Sequence, residues 1–572
     1  MKSNWLIKEQ FPERSAELAR EVETSPLVAQ LLINRGIETG ETAERFLGDS
    51  FTELPSPFLM AGMEDAVDRI EKAVGSGEVV AVYGDYDADG VTSTSLLCDF
   101  LKALDVDTIY FAPHRIKDGY GINSRAVEEL GRRGATLIIS TDCGITALDE
   151  VENAKELGID FIVTDHHLPG DEIPDAVAVV NPKLPGCDYP EKNIAGVGVA
   201  FNLALAVRAR LREKGFFDSR TEPNMAHYLD LVAIGTVTDR VPLTGANRIM
   251  VKEGIKRMKT PDRPGIEALK TVSRINGGFN SGDIAYRMGP RINAAGRIDG
   301  PEIAVELLLS ESAEHARTIA KKLDERNRTR QELERKAVAE AIEFIEQNPD
   351  SAQSACLVVS SQDWHPGITG PLASRLVEKY SKPAFAIAID SDGIGKGSGR
   401  TVPAVNLYET LRACDKSLER YGGHAMAAGI TVRSESIDLF RSEIDKHIKS
   451  TGAGTKPGEK TFRIDARIGI ESLTLKTVKE FEILEPFGSG NPTPVFLIEG
   501  AKIISHNVIK NAHLKLFLDT GEGGAPIEAM WWNAADGVAA PEGKADIVFS
   551  PEISVWKNRE SLTLRIIDLE RI

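Results

Sequence analysis

The chain has 572 residues, too many for one hydrophobic core, so three or four domains are expected. Hydrophobic residues make up 42% and charged residues 27%, the balance of a soluble globular protein, and no apolar run reaches the ~20 residues of a membrane span. A formal charge of −18 argues against a protein that grips nucleic acid over its whole surface, while leaving room for a local basic groove.

MKSNWLIKEQ lacks the basic-then-apolar plan of a signal peptide. The cysteines (Cys98, Cys143, Cys187, Cys356, Cys414) form no C-x-x-C pair, so reduced thiols and a cytoplasmic location are expected. In residues 1–50, SAELAREVE and SPLVAQLLINRG repeat at helical spacing and predict a small helical segment. Residues 51–255 alternate strand-like and helix-like pieces, with VVAVYG, TIYFA, TLIIST, DFIVT and AVAVVN as strands; this predicts an α/β domain on a doubly wound parallel sheet. Residues 256–350 read as a connector: from 301 to 347 no Gly or Pro follows Pro301, and charged amphipathic helices are expected. A smaller α/β unit is predicted over 351–450, then a linker in STGAGTKPGEK. Over 456–572, VFLIEG, HLKLFLD, ADIVFS and LTLRIIDL alternate with Gly/Pro/Asn turns, as in a small β-barrel.

The stretch AVYGDYDADGVTSTSLL places Asp85, Asp87 and Asp89 directly after an apolar strand and before a Ser/Thr-rich helix start. Three crowded carboxylates raise one another's pKa unless a cation neutralises them or water screens them. DYDADG also opens like a calcium-binding EF-hand loop, but Leu96 stands where that loop needs its bidentate Glu, and a strand precedes it. Three more apolar segments end alike: IISTD on Asp142, IVTDHH on Asp165 with His166 and His167, and AIGTVTD on Asp239. In an open parallel sheet, functional groups gather outside the carboxyl ends of the strands, so these acids converge on one cleft. An oxygen-rich ligand set with imidazole suits Mn²⁺ or Mg²⁺ better than a thiolate zinc site. So many donors over-supply one ion and suit two, ~3.5–4 Å apart.

GDYDADGVTS, TDCG, TDHH and TDRVPL match, in order, the four motifs of the DHH phosphoesterase superfamily, and GGHAMAAG at Gly422–Gly429 resembles the glycine-rich motif of its companion DHHA1 domain. With MGPRINAAGRI at Met288–Ile298 and a terminal barrel after LEPFGSGNPTPVF, the arrangement is similar to the RecJ branch, single-strand-specific 5′→3′ DNA exonucleases. Other branches open the first motif with a histidine where this sequence has Asp85. The resemblance implies a DHH catalytic domain, a DHHA1 substrate-binding domain and an OB-like nucleic-acid-binding domain over the second, fourth and fifth stretches above. It implies metal ligands Asp87, Asp89, Asp142, His166 and Asp239, with Asp85, Asp165 and His167 supporting or completing a two-ion Mn²⁺ or Mg²⁺ centre. It further implies a hydrolase releasing 5′-mononucleotides from single-stranded DNA in recombination and repair. A single-stranded-DNA-binding protein and a helicase are the expected partners of a monomeric chain that uses no membrane.

For substrate, Gly422, Gly423 and His424 follow the helical NLYETLRACDKSLER; they read as a glycine C-cap or as a place where a phosphodiester approaches closely. Ser398 and Arg400 close GIGKGSGR, a hairpin by composition and, by the resemblance, a holder of the 5′ end. Arg287, Arg291 and Arg297 suit phosphate, or equally nearby acids, and Arg115 joins them by the resemblance. Trp531, Trp532 and Trp556 in the barrel are candidates for base stacking or core. Two rivals stand beside this reading: a phosphodiesterase for short oligonucleotides or cyclic dinucleotides, and a replication scaffold without catalysis. The connector and barrel speak against the first, and the intact motifs against the second.

Overall fold

The computed structural model describes residues 4–48, 50–114, 121–275, 278–298, 300–452, 460–510, 512–521, 524–534, 543–556 and 559–572. A short strand, β1 (Asn4–Ile7), leads into helices Pro12–Glu21, Pro26–Ile33 and Gly40–Leu47. The second starts on Pro26 with Ser25 as its N-cap, and the third on a Thr39 capping box.

Strands β2 (Val79–Gly84), β3 (Asp107–Phe111), β4 (Ala135–Thr141), β5 (Asp160–Thr164) and β6 (Ala178–Val180) form an all-parallel sheet in the order β3-β2-β4-β5-β6. Both faces are covered: Val80, Val82, Leu137 and Ile139 join one core, and Ala81, Tyr83 and Ile138 the other. That burial explains why these strands read as unbroken apolar runs. The chain reverses direction across the sheet between β2 and β4, which makes their carboxyl ends the switch point where such folds place a site.

The connector ends in helices Gly289–Ile298, Glu302–Leu309 and Ala313–Gln347. At 1.5 Å per residue the last spans about 50 Å. Its Ala316, Ile319 and Leu323 pack into the first domain, and its Ala337, Ala341 and Ile345 into the second α/β unit. One rigid rod therefore sets the spacing of the two domains. The second unit carries β7 (Leu357–Ser361), β8 (Ala384–Ile389), β9 (Ile394–Arg400), β10 (Arg420–Gly423) and β11 (Ala427–Arg433) in the order β10-β11-β9-β8-β7.

Beyond β12 (Thr461–Ile464) and β13 (Ala466–Arg467), strands β14 (Phe496–Ile509), β15 (His513–Leu518), β16 (Ile527–Trp531), β17 (Gly543–Trp556) and β18 (Arg559–Arg571) close a barrel, because β14 pairs with both β15 and β17.

Four features differ from the sequence expectations. Residues 4–47 are not a separate segment: β1 pairs in parallel with β12, and Leu18, Val28, Leu31 and Leu32 share the barrel's core. Helical periodicity shows that a helix has an apolar face but not what covers it. AIGTVTD ends a helix, Leu229–Asp239, rather than a strand; its short apolar run fits either. The helix in NLYETLRACDKSLER stops at Arg412, and Gly422 and Gly423 lie in β10 instead of capping it. The barrel also holds β16, IEAMW, whose alternation is too short to stand out. Most of the expected linker, residues 453–459, lies outside the described residues.

Candidate metal centre and substrate cleft

Asp85, Asp87, Asp89, Asp142, His166, His167 and Asp239 come together beyond the carboxyl ends of β2, β4 and β5 and the end of the Leu229–Asp239 helix. They form three overlapping triads whose donor atoms lie within 4.8 Å of one another: Asp85–Asp87–Asp142, Asp142–His166–His167, and Asp89–His166–Asp239. Asp142 belongs to two triads and His166 to two.

Local structure aims each group. Asp87 is the N-cap of helix Ala88–Ala103, and its Oδ1 accepts the Asp89 and Gly90 N–H groups at 2.9 and 3.2 Å. Asp89 is 1% exposed; its oxygens accept the N–H groups of Gly196 and Val197, at the start of helix Gly196–Glu213, at 2.7 and 2.8 Å. A Cβ on Gly196 would meet the Asp142 carboxylate at 2.7 Å, so only glycine lets that helix end sit so close. Asp142 follows β4 with φ of 60°, a left-handed conformation that non-glycine residues adopt at a cost of order 1–3 kcal/mol and that is concentrated at functional sites. Asp165 stands outside the triads. Its Oδ1 accepts His167 Nδ1 at 2.7 Å and both histidine backbone N–H groups, and its Oδ2 accepts the Ile145 N–H at 3.0 Å. It orients the histidine pair.

The electrostatics favour a bound cation. Burial, then the charges of Asp89, Asp87, Asp239 and Asp85, push the Asp142 carboxyl well up. Burial, then Asp239 and Asp87, does the same to Asp89, and burial with Asp87 lifts Asp239 to about 6. Burial, reinforced by His167, pulls His166 down to about 3, so its imidazole is neutral and offers a lone pair. His167 goes the other way: burial lowers it, but the Asp165 hydrogen bond and the surrounding acids hold it up at about 9. Asp142 Oδ1 and His166 Nε2 are buried 3.0 Å apart, and neither completes a hydrogen bond. Buried polar atoms without partners are rare, and these two fit a divalent ion between them. The donor set, carboxylates with imidazole, fits Mn²⁺ or Mg²⁺.

A cleft of about 1430 Å³ begins beside Asp239 at Thr238 and Arg240 and runs between the domains. Arg297, Arg330 and Arg400 line it, with Phe481, Phe487 and Arg565 from the barrel side. Across the second sheet, register sets Ser398 beside Gly429 and Gly429 beside Gly422, with Gly399, Ala428 and Gly423 as the next row. Ser398 Oγ is 2.9 Å from Thr369 Oγ1, a residue the sequence reading missed although HPGITG has the marks of a helix start. His424 is exposed at the end of β10.

Two arginines are otherwise engaged. Arg291 donates to Asp324 Oδ1 at 3.0 Å and to the Val272 and Arg287 carbonyls, and Arg287 donates to Asp283 Oδ1 at 2.9 Å and to the Arg274 carbonyl. Both thus pair with nearby acids, one of the two roles that the sequence left open to them. Arg115 lies outside the described residues. Trp531 packs against the barrel core, whereas Trp532 is 52% exposed with its ring centroid 4.8 Å from that of His513; the Trp556 side chain is outside the description. Among the described residues, no helix is long and apolar enough to cross a membrane.

Three family models match the chain: the DHH family, N-terminal domain over residues 79–236, the DHHA1 domain over 353–450, and the RecJ OB domain over 464–568. The chain is 37% identical to the single-stranded-DNA-specific exonuclease RecJ of Bacillus subtilis, over 99% of this chain and 71% of that one. It is 35% identical to the protein of that name from Salmonella typhimurium, over 100% of both chains. The chain belongs to the RecJ family. Its fold follows that of RecJ from Thermus thermophilus in complex with Mn²⁺, with a TM-score of 0.83 and 29% identity over 100% of this chain and 80% of that one. The Mg²⁺ complex of that RecJ gives a TM-score of 0.78, at 27% identity over 100% of this chain and 78% of that one. The RecJ family thus accounts for the architecture found here: a DHH domain on a parallel sheet, a helical connector, a DHHA1 domain and a closed terminal barrel.

Proposed function

We propose that the chain is a metal-dependent single-stranded-DNA exonuclease acting in recombination and repair, that it works from the 5′ end, and that Asp142, common to two of the ligand triads, is the central carboxylate of its metal centre. The observation that carries this is the set of three overlapping ligand triads opening beside a cleft whose far wall holds Arg400. Asp85, Asp87 and Asp142 would hold one ion, and Asp89, Asp239 and His166 would hold a second. When bound, Mn²⁺ or Mg²⁺ supplies Lewis acidity and an acidified water for phosphodiester hydrolysis.

This chain's own residues do the rest. Ser398 and Arg400, beside the Gly422–Gly429 rows, hold the terminal 5′-phosphate, and Arg297 balances charge along the strand. Asp165 fixes the His167 ring by its Nδ1, which makes Nε2 the nitrogen that meets the substrate. A bond forms from water oxygen to phosphorus and the P–O3′ bond breaks. A 5′-mononucleotide leaves, and the shortened strand carries a new 5′-phosphate for the same pocket. Residues 51–255 carry the metal centre and 351–450 the end-binding pocket, while the barrel, built from 456–572 together with the N-terminal helices, grips the trailing strand. An enzyme that needs a bare 5′ end works with a helicase to expose it and a single-stranded-DNA-binding protein to keep it open, and one chain holds the whole site, so a monomer suffices.

The test is a degradation assay on protein stripped with EDTA and reloaded with Mn²⁺, offered a single strand, its blunt duplex and a dinucleotide. Rapid loss of the single strand alone is expected. Preference for the duplex or the dinucleotide would sink the reading.

A further inference from the structure

In the MGPRINAAGRI motif Arg297 faces the cleft and Arg291 is tied to Asp324, but the residues between them have no assigned role. Its helix, Gly289–Ile298, nevertheless touches the metal-bearing loop directly. Asn293 Oδ1 accepts the backbone N–H of Ala88 at 2.8 Å, across 205 residues of sequence. Three residues on, a Cβ at Gly296 would stand 2.5 Å from the Tyr86 carbonyl oxygen, so the helix lies against the loop backbone with no room for a side chain. Tyr86 and Ala88 flank Asp87, and Ala88 separates it from Asp89.

Asn293 completes the hydrogen bonding of this turn. A helix leaves its first four N–H groups without internal partners. In helix Ala88–Ala103 the Asp89 and Gly90 N–H groups go to the side chain of the N-cap, Asp87, and intrahelical bonding begins with the Val91 N–H on the Asp87 carbonyl. Between the N-cap and these groups stands Ala88, 1% exposed, whose N–H finds its acceptor in Asn293. Without that acceptor the buried N–H is left unpaired, or the Asp87 carboxylate turns to serve it and leaves the position it shares with Asp85 and Asp142.

We propose that Asn293 is a positioning residue for the metal centre: by satisfying Ala88 it holds the Asp87–Asp89 turn in its ligating shape. This rests on the two-ion reading above. Partners one step behind metal ligands commonly change metal affinity by about 10–100-fold when lost.

The experiment is calorimetric titration of the full chain with MnCl₂ in the absence of DNA, on wild type, Asn293→Ala, Asn293→Leu and Asp142→Ala. Leu keeps the branched outline and heavy-atom count of Asn without an acceptor, and the metal-free melting temperature of each variant reports folding. Both Asn293 variants are expected to bind Mn²⁺ at least ten-fold more weakly while melting within a few degrees of wild type. Wild-type affinity in Asn293→Leu, with or without a defect in Asn293→Ala, would assign the residue to packing and overturn the proposal. If wild type binds Mn²⁺ no better than Asp142→Ala, the two-ion reading itself fails, so the two failures are told apart.

Discussion

His167 Nδ1 lies 2.7 Å from Asp165 Oδ1, and the same oxygen accepts the backbone N–H groups of His166 and His167. One carboxylate, outside the three ligand triads, therefore fixes both the ring and the backbone of the pair. Asp165→Asn keeps the shape but turns one acceptor into a donor. It is expected to lower kcat by about 10–100-fold, with a smaller change in Mn²⁺ affinity. Steady-state rates beside a Mn²⁺ titration check this, and an unchanged kcat would remove Asp165 from the mechanism.

The end-binding pocket makes a separable prediction. Arg400→Ala should impair use of 5′-phosphorylated strands more than 5′-hydroxyl strands, because only the former lose a charge-assisted contact. Competition between the two substrates in one tube reads the ratio. Equal losses would assign Arg400 to general backbone contact.

Glu485 lines the cleft, and its carboxyl is pushed up to about 7 by burial first and then by Glu482, against Lys259 and Arg248. An acid whose folded pKa is raised stabilises the fold while protonated, so its contribution is complete below pH 4.5 and is lost as pH rises towards about 7. Glu485→Gln should be neutral at pH 4 and more stable than wild type at pH 8, by on the order of 2 kcal/mol. Urea melts at the two pH values decide it.

Much of this site was legible from segment endings. TLIIST closing on Asp142 and DFIVT on Asp165 required only that an unbroken apolar run be a buried strand. Asp239 was found for a partly wrong reason, since its segment is a helix, and a terminal acid looks the same on either element. Asn293 was illegible because its partner is a backbone N–H on the far side of the fold, and no side-chain pattern marks a backbone donor. Arg291 was ambiguous in sequence because phosphate and carboxylate ask the same of a guanidinium. The union of the first helices with the barrel was hidden too, since an apolar stripe does not name its partner.

That union reshapes the truncation experiment. Cutting at residue 455 removes the cover from Leu18, Val28, Leu31 and Leu32, which share the barrel's core, and should yield an aggregating protein. Removing residues 1–50 as well should restore solubility and leave cleavage of short oligonucleotides near the full chain's rate. For long strands, losing even three phosphate contacts should flatten the slope of log affinity against log salt by about 2. An unchanged slope would point to a partner-docking role for the barrel.

The central claim, hydrolysis from the 5′ end at the Asp142-centred site, is tested most directly by one time course. A single strand labelled at its 5′ or its 3′ end is incubated with Mn²⁺ and either wild type or Asp142→Ala. Wild type is expected to turn the 5′ label into mononucleotide at once while the 3′-labelled strand shortens stepwise, and Asp142→Ala to do neither. Release of the 3′ label first, or full activity in Asp142→Ala, would contradict the account.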